Sequence, residues 1–568
     1  MNRRNYLICC LRLAAVFVVS GSSSTFAQTF VPGDLVVSVY GSLTDNICLD
    51  GNPTPITLAE FGSNIVANQS PVLIVTLPTA DRGSNVGVVG EYGSSSESNI
   101  QLSGDGRFLA LGAYDALEAA NGIGTASNTA NGTKVTVGTA YSNNAGIPLA
   151  QSASTDVSRV AVFIDAYGNV NSSTTFNNLY PANNPRCVYS QSGSSLYISG
   201  EGSGTGDQGL YYAQVGAQNL ATAILTTYET RFVTAYGRNL YCSIDQKNKE
   251  TGIFGFSGTP TSATSPVPIT ASSKGSVNYS PDGFFFANAT TLYVADTGVP
   301  KNGGTGAGGI QKWTYNGTSW NLQYTFTNPA GFIAAKSASS ADDGETGFEA
   351  VTGKVVNGTV YLYGVSYTAG DADPNGLYGI TDTLAATTAG GQTFTEIASA
   401  PGIQVSGKVP KSALLGMSPD YVFKGVSFAP QPITVSLTNW EQAYALTTSP
   451  SATPESDGVP NLLKYLYDIN PTAPMTSTDR AALPAIQIDT KSKPGTTYLA
   501  LSFRENASVT GITIKLQSSP DLQTWTTITP DISQEIGNDP ATGDPILEMG
   551  INLNGAAKEF LRLNVTSP

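Results

Sequence analysis

The sequence predicts an all-β protein: a β-propeller of six blades, with seven as the alternative count, followed by a short helix and a small C-terminal β-sandwich. Three observations carry that expectation. A strand–turn–strand unit recurs: RCVYSQSGSSLYISG starts at Arg186 and RFVTAYGRNLYCSID at Arg231, and each runs charged residue, apolar pair, Gly turn, Leu-Tyr, small polar residue. Looser copies are SNIQLSGDGRFLALGAYD from Ser98, DGFFFANATTLYVADTG from Asp282 and FEAVTGKVVNGTVYLYGVS from Phe348. The composition agrees, with 60 Gly, 9% aromatic and only 12% charged residues in 568, a β-rich chain with many turns.

Taken in order, the chain opens with Arg3, Arg4 and Arg12, an apolar run from Leu13 to Val19, and Thr25-Phe26-Ala27 before Gln28. That order reads as a signal peptide over 1–27, the apolar run being too short to span a bilayer. The expected location is therefore secreted or cell-surface. Cys9 and Cys10 fall inside the signal segment, leaving Cys48, Cys187 and Cys242. An odd number permits one disulfide at most, and the offset of Cys187 and Cys242 within their repeat units argues against a bond between them.

From 28 to 432 the chain reads as the propeller. Between the inner hairpins lie outer-strand candidates such as RVAVFIDAYGNV, GLYYAQV, GIFGFSG, GIQKWTYNGTSWNLQYTF and GLYGITDT. Four short strands per repeat with no helix between them are the pattern of blades around an axis. FKGVSFAP, Phe423 to Pro430, supplies an inner strand that the N-terminal LVVSVYG can complete, protecting the sheet edges. An array of β-sandwiches is the competing arrangement. Residues 433–460 read as a linker, centred on SPSATPESDG, and 461–568 as a helix in VPNLLKYLYDINP plus the sandwich strands YLALSFREN, GITIKLQSS, LQTWTTI and KEFLRLNV.

The chemistry is bounded by one absence. There is no histidine, which removes Ser-His-Asp and Cys-His nucleophile systems and His zinc sites. Carboxylate pairs, Tyr or Lys bases and calcium assistance remain, so a binding or scaffold role gains over catalysis. A net charge of −14 without basic clusters speaks against nucleic acid as a partner. No segment beyond the signal is long and apolar enough to span a membrane, and a monomer is expected.

Three constellations stand out. Each inner strand opens near a charged residue: Glu97, Arg186, Arg231, Asp282, Glu349 and Lys424. In a propeller these approach one mouth of the central channel, either as ion pairs fastening blade to blade or as a ligand site; Glu97 with Glu349 is the catalytic version. Trp313, Tyr315 and Trp320 alternate along one blade edge, as stacking platforms for sugars or as packing between blades. DADPNGLYGITD places Asp371, Asp373, Asn375 and Asp382 at calcium-loop spacings, with a plain hairpin turn as the alternative and calcium as the one cofactor to consider. The Gly-rich runs GEGSGTG and GGTGAGG open no helix and so make no phosphate cradle.

In order along the chain, ESNIQLSGDGRFLALGAYDA, NNPRCVYSQSGSSLYISG, SPDGFFFAN, TLYVADTG, GGIQKWTYNG and FKGVSFAP resemble a secreted propeller family of bacteria and plants, over about Leu35 to Pro430. The resemblance implies fold and export and no reaction. Among its members Arg is commoner at the positions of Glu349 and Lys424. The tail, with SDGVPNLLKYLYDINP and SSPDLQTWTTI, resembles modules appended to large secreted bacterial proteins, which implies attachment or sorting; Lys464 stands where that pattern commonly has Glu. The leading expectation is a propeller that binds an extracellular glycan or protein, and the alternative is a polysaccharide-active lyase or glycosidase using carboxylates.

Overall fold

A computed structural model describes residues 29–41, 53–91, 94, 97, 99–116, 124–128, 133–137, 147–246, 250–272, 279–298, 308–329, 332, 345–368, 374–402, 421–432, 435–444, 446–490, 492, 495–506, 508–539, 544–553 and 559–567. The expected signal segment, Cys48, Asp371 and Asp373 lie outside them.

Four antiparallel four-stranded sheets follow one another along the chain. The first holds Pro185–Tyr189, Ser195–Gly200, Gly209–Gln214 and Thr222–Leu225. The second holds Val233–Tyr236, Asn239–Asp245, Thr251–Gly255 and Val267–Ser272. Pro281–Asn288, Thr291–Asp296, Gly309–Tyr315 and Trp320–Phe326 form the third. Glu345–Val356, Thr359–Thr368, Asn375–Thr383 and Thr395–Ala400 form the fourth. Every strand pairs with the next in sequence, because short turns such as Gly237-Arg238 leave a strand no other neighbour within reach. These are propeller-like sheets, and the repeat units seen in the sequence are their first two strands.

The remaining propeller-like strands depart from the simple plan. Leu35–Gly41 lies between Pro53–Phe61 and Tyr421–Phe428, with Leu35 opposite Phe428 and Gly41 opposite Tyr421, so the chain's early and late strands do pair. Gln101–Leu102, Phe108–Tyr114, Arg159–Asp165 and Val170–Phe176 pair in that order. The short strand Val89–Glu91 hydrogen-bonds to both Pro53–Phe61 and Phe108–Tyr114, merging the two sets into one nine-stranded sheet instead of two separate ones. Leu35–Gly41 is buried on both faces, as a strand whose residues are apolar on both sides apart from Ser38 requires.

By internal packing the described residues divide into two units, 28–433 and 434–568. In the second unit, Ala485–Asp489, Tyr498–Arg504, Pro545–Asn552 and Ile532–Asn538 form one antiparallel sheet, and Thr526–Ile528, Thr513–Ser519 and Phe560–Thr566 another. Phe503 and Met549 of the first sheet pack with Ile514 and Leu563 of the other around one core.

The reading of 433–460 as a linker, with one helix after it, needs correction. Val435–Ser436 pairs in parallel with Val509–Thr510, and a helix over Leu437–Ala443 sets Trp440 against Tyr465 at 5.5 Å. Further helices are Asn461–Leu466 and Ser477–Ala481. The Pro, Ser and Thr content that suggested a linker belongs to turns packed on this unit, with Asn461 N bonded to Ala452 O and Leu462 N to Pro450 O. Among the described residues no helix is long and apolar enough to cross a membrane.

Candidate functional site

Along each inner strand the repeat's charged residue comes first and aromatic or hydroxyl side chains follow, so each strand has a charged end and an aromatic or hydroxyl end. At the charged end, all six predicted residues are buried: Glu97, Arg186, Arg231, Asp282, Glu349 and Lys424 are between 1% and 8% exposed. They are packed among other residues. Gly283 allows this crowding, since a Cβ there would meet Glu349 O and Ala350 Cα at 3.0 Å.

Arg231 bonds Asp245 at 3.1 Å and Asp282 at 3.3 Å. Burial alone would lower its pKa, but Asp245, Asp282 and Glu229 outweigh that and hold the guanidinium charged. Asn99 Nδ2 donates to the other oxygen of Asp282 at 2.9 Å, although Asn99 stands beside the first of the four sheets and Asp282 is on the third. Burial pushes Asp282 up to about 6 against the lowering effect of Arg231 and Arg186. Arg186 holds two carboxylates that the sequence reading did not single out, Glu201 and, at 3.6 Å, Glu229. Of the expected ring pairings, Arg231–Asp282 is present.

Glu97 and Lys424 sit apart from those ion pairs. Tyr114 OH donates to Glu97 at 2.5 Å and the Glu91 amide at 3.1 Å, and burial pushes the Glu97 carboxyl up to about 7. Lys424 Nζ donates to Ser94 O at 2.6 Å and lies 5.6 Å from the Tyr40 ring centre.

The described part of the calcium-loop spacing, from Asn375 on, is a strand. Asn375 stands at the start of Asn375–Thr383, tied to Ser366 O and Phe423 O, while Asp382 stands near its far end, roughly 23 Å away at strand rise. Asp382 takes the buried Lys312 ammonium at 2.9 Å and the hydroxyls of Tyr293 and Tyr324, fastening the third sheet to the fourth. These two residues therefore do not converge on one ion. Among the described residues no group of three or more acidic or Cys ligands is placed to hold a metal.

The three aromatics of the expected platform are placed differently. Tyr315 and Trp320 face each other across the hairpin, ring centres 5.6 Å apart, and Tyr315 is 37% exposed. Trp313 instead turns inward: it is half-buried, donates Nε1 to Gln311 at 2.9 Å and lies against Tyr279. The aromatic strip continues toward the axis by residues the sequence reading did not select. Trp320 abuts Phe286 at 6.0 Å, and Phe286 stacks on Tyr236 at 4.8 Å with an 18° tilt.

There the inner strands line a half-open cavity of about 260 Å³, at positions that follow the charged residues along each strand. Ser103, Tyr236, Phe285, Thr352 and Ser427 come to it from five different inner strands or, for Ser103, from the residue just after one, and among the described residues no charged side chain lines it. A Phe-Phe-Phe run in an inner strand was the available signal, since three consecutive large rings cannot all turn into one core. A second, open cleft of about 590 Å³ lies between the loop at Ser63 and the hairpin Lys354–Tyr361. Both places combine aromatic faces with hydroxyls, which suits a neutral polar ligand with apolar faces.

No family model and no curated protein matches the chain. Among solved structures it is similar to a GH74 enzyme from Niastella koreensis, at 11% identity and TM-score 0.30, covering 62% of this chain and 55% of that one. It is similar to XC5397 from Xanthomonas campestris, described as a gluconolactonase, at 10% identity and TM-score 0.30, covering 61% and 94%. It is also similar to the β-propeller domain of the Trilobed protease from Pyrococcus furiosus, at 9% identity and TM-score 0.26, covering 64% and 85%. With all three below 0.5, the propeller-like description stands on the sheet topology.

Proposed function

We propose that this is an exported, monomeric six-bladed β-propeller, closed by the pairing of Leu35–Gly41 with Tyr421–Phe428, that binds an extracellular glycan. The binding site is the cavity at the aromatic end of the inner strands, extended outward by Tyr236, Phe286, Trp320 and Tyr315. The single observation behind this reading is that uncharged cavity, where aromatic rings and Ser and Thr hydroxyls converge from five strands. The C–H face of a pyranose is apolar and its rim is hydroxyl-rich, matching both kinds of lining. The second unit serves attachment or sorting, and no cofactor is needed. A glycan array with the protein lacking 1–27 tests the reading: binding to a defined oligosaccharide class is expected, and an empty array across all classes contradicts it.

The second reading is a polysaccharide-active enzyme working through carboxylates. The observation favouring it is Glu97, whose pKa near 7 suits a general acid. Against it, Glu97 is 2% exposed and already holds Tyr114 and the Glu91 amide. Release of reducing ends or of unsaturated products from the glycan found on the array would favour this second reading over simple binding.

A further inference from the structure

The open cleft next to the central cavity holds a cation without a carboxylate. Arg107, Arg186, Arg231 and Lys312 each hold an acidic side chain within 4 Å. Lys354, half-buried in the cleft, has no such partner among the described residues. Its ammonium donates once, to Ser63 Oγ at 3.0 Å, which leaves two of its three N–H groups for something else. It also lies 5.5 Å from the centre of the Phe428 ring, and Phe428 lines the central cavity. The ammonium thus stands at the partition between the two spaces. Among the described residues neither is lined by an Asp or Glu that could neutralise it. Around it are Asn64, Tyr361 and Thr381, with Tyr363 donating to Ser63 O at 2.5 Å to fix the loop that carries the acceptor.

We infer that this cleft is a subsite for a carboxylate-bearing sugar, so that the glycan taken by the central cavity is an acidic one with a uronic acid unit reaching Lys354. The inference rests on the glycan reading. It adds to that reading a charge requirement at one position. The carboxylate at C6 of a uronic acid projects from the ring edge, where an ammonium beside a stacked face can receive it.

The test is calorimetric titration with tetragalacturonate and with its fully methyl-esterified form, which keeps the shape and removes the charges. The protein should bind the acid on the order of fivefold more tightly than the ester, the size of one half-exposed ion pair. Lys354→Met should erase that preference while leaving the ester's affinity unchanged, and Lys354→Arg should keep it. Thermal melts of both variants establish that they fold. If the acid and ester bind equally, or if Lys354→Met retains the preference, the subsite is overturned while the glycan reading stands. If neither probe binds and no neutral oligosaccharide binds on the array, the glycan reading fails and this inference with it.

Discussion

Arg231 holds Asp282 across neighbouring sheets, Nη1 to Oδ2 at 3.3 Å, while its Nη2 holds Asp245 at 3.1 Å, all three side chains being at most 9% exposed. Replacing Arg231 with Met should therefore strand two buried carboxylates and cost about 3–5 kcal/mol of stability. Arg186→Met should cost less, because its nearer partner Glu201 keeps 32% side-chain exposure, where solvent can take over from the guanidinium, and the more buried Glu229 is only a 3.6 Å contact. Urea unfolding of the two variants checks the order. Equal small losses would remove the fastening role from both arginines.

Stability should fall as the pH rises from about 5 to 8. Burial raises Glu97 to about 7, and burial with a contribution from Asp81 raises Asp115 to about 7. Their ordinary values are 4.5 and 3.8, so in the folded state they keep protons that the unfolded chain releases. Their favourable contribution is complete below the unfolded values and is lost as the pH climbs through the folded ones. Among the described residues Asp115 Oδ2 has no hydrogen-bond partner, so Asp115→Asn should raise stability at pH 8 by on the order of a few kcal/mol and flatten the profile. A melting temperature rising between pH 5 and 8 in the unmodified protein would show that other groups dominate.

In the second unit, Lys464 Nζ sits 2.6 Å from Asp457 Oδ2, the lysine side chain being wholly buried. Lys464→Met should speed hydrogen exchange along Tyr498–Arg504 and Phe560–Thr566, since the uncompensated Asp457 destabilises the turn under that core. The 233–272 sheet serves as the internal control. Unchanged exchange in both strands would make the pair dispensable.

Cys187 and Cys242 are unpaired and buried, and burial pushes both thiols up to about 12. Neither should react with iodoacetamide in the folded protein at pH 8, and both should react fully once unfolded. Peptide mapping after alkylation reads this out. A native-state adduct on either would mean that the sheets open around Val233, which lies against both residues.

What could be read from the sequence follows from how local each signal is. The hairpins from Arg186 and Arg231 were legible because charge, turn and Leu-Tyr lie within fifteen residues, and the pairing of LVVSVYG with FKGVSFAP followed from two edge strands lacking neighbours. Val89–Glu91 was not legible: a three-residue strand has no periodicity, and its role in joining two sets of strands depends on partners far away in sequence. At the site, residue type pointed to charge at one end of the inner strands, but burial decides whether a charge binds a ligand or a neighbour. Glu201 and Glu229 escaped notice because their approach to Arg186 depends on strand register. In DADPNGLYGITD the alternation that suggests a calcium loop also describes the two faces of a strand, which is what Asn375 and Asp382 belong to.

The central claim, that ligand is taken at the aromatic end of the inner strands and not at the charged end, is tested most directly by titrating one array-selected oligosaccharide into Tyr236→Ala and Arg186→Met. Tyr236 stacks on Phe286 and lines the cavity, so its loss should weaken binding about tenfold or more at a near-normal melting temperature. Arg186→Met should bind as the unmodified protein does, at a lowered melting temperature. Full binding by Tyr236→Ala together with lost binding by Arg186→Met would contradict the account and move the site to the buried charges.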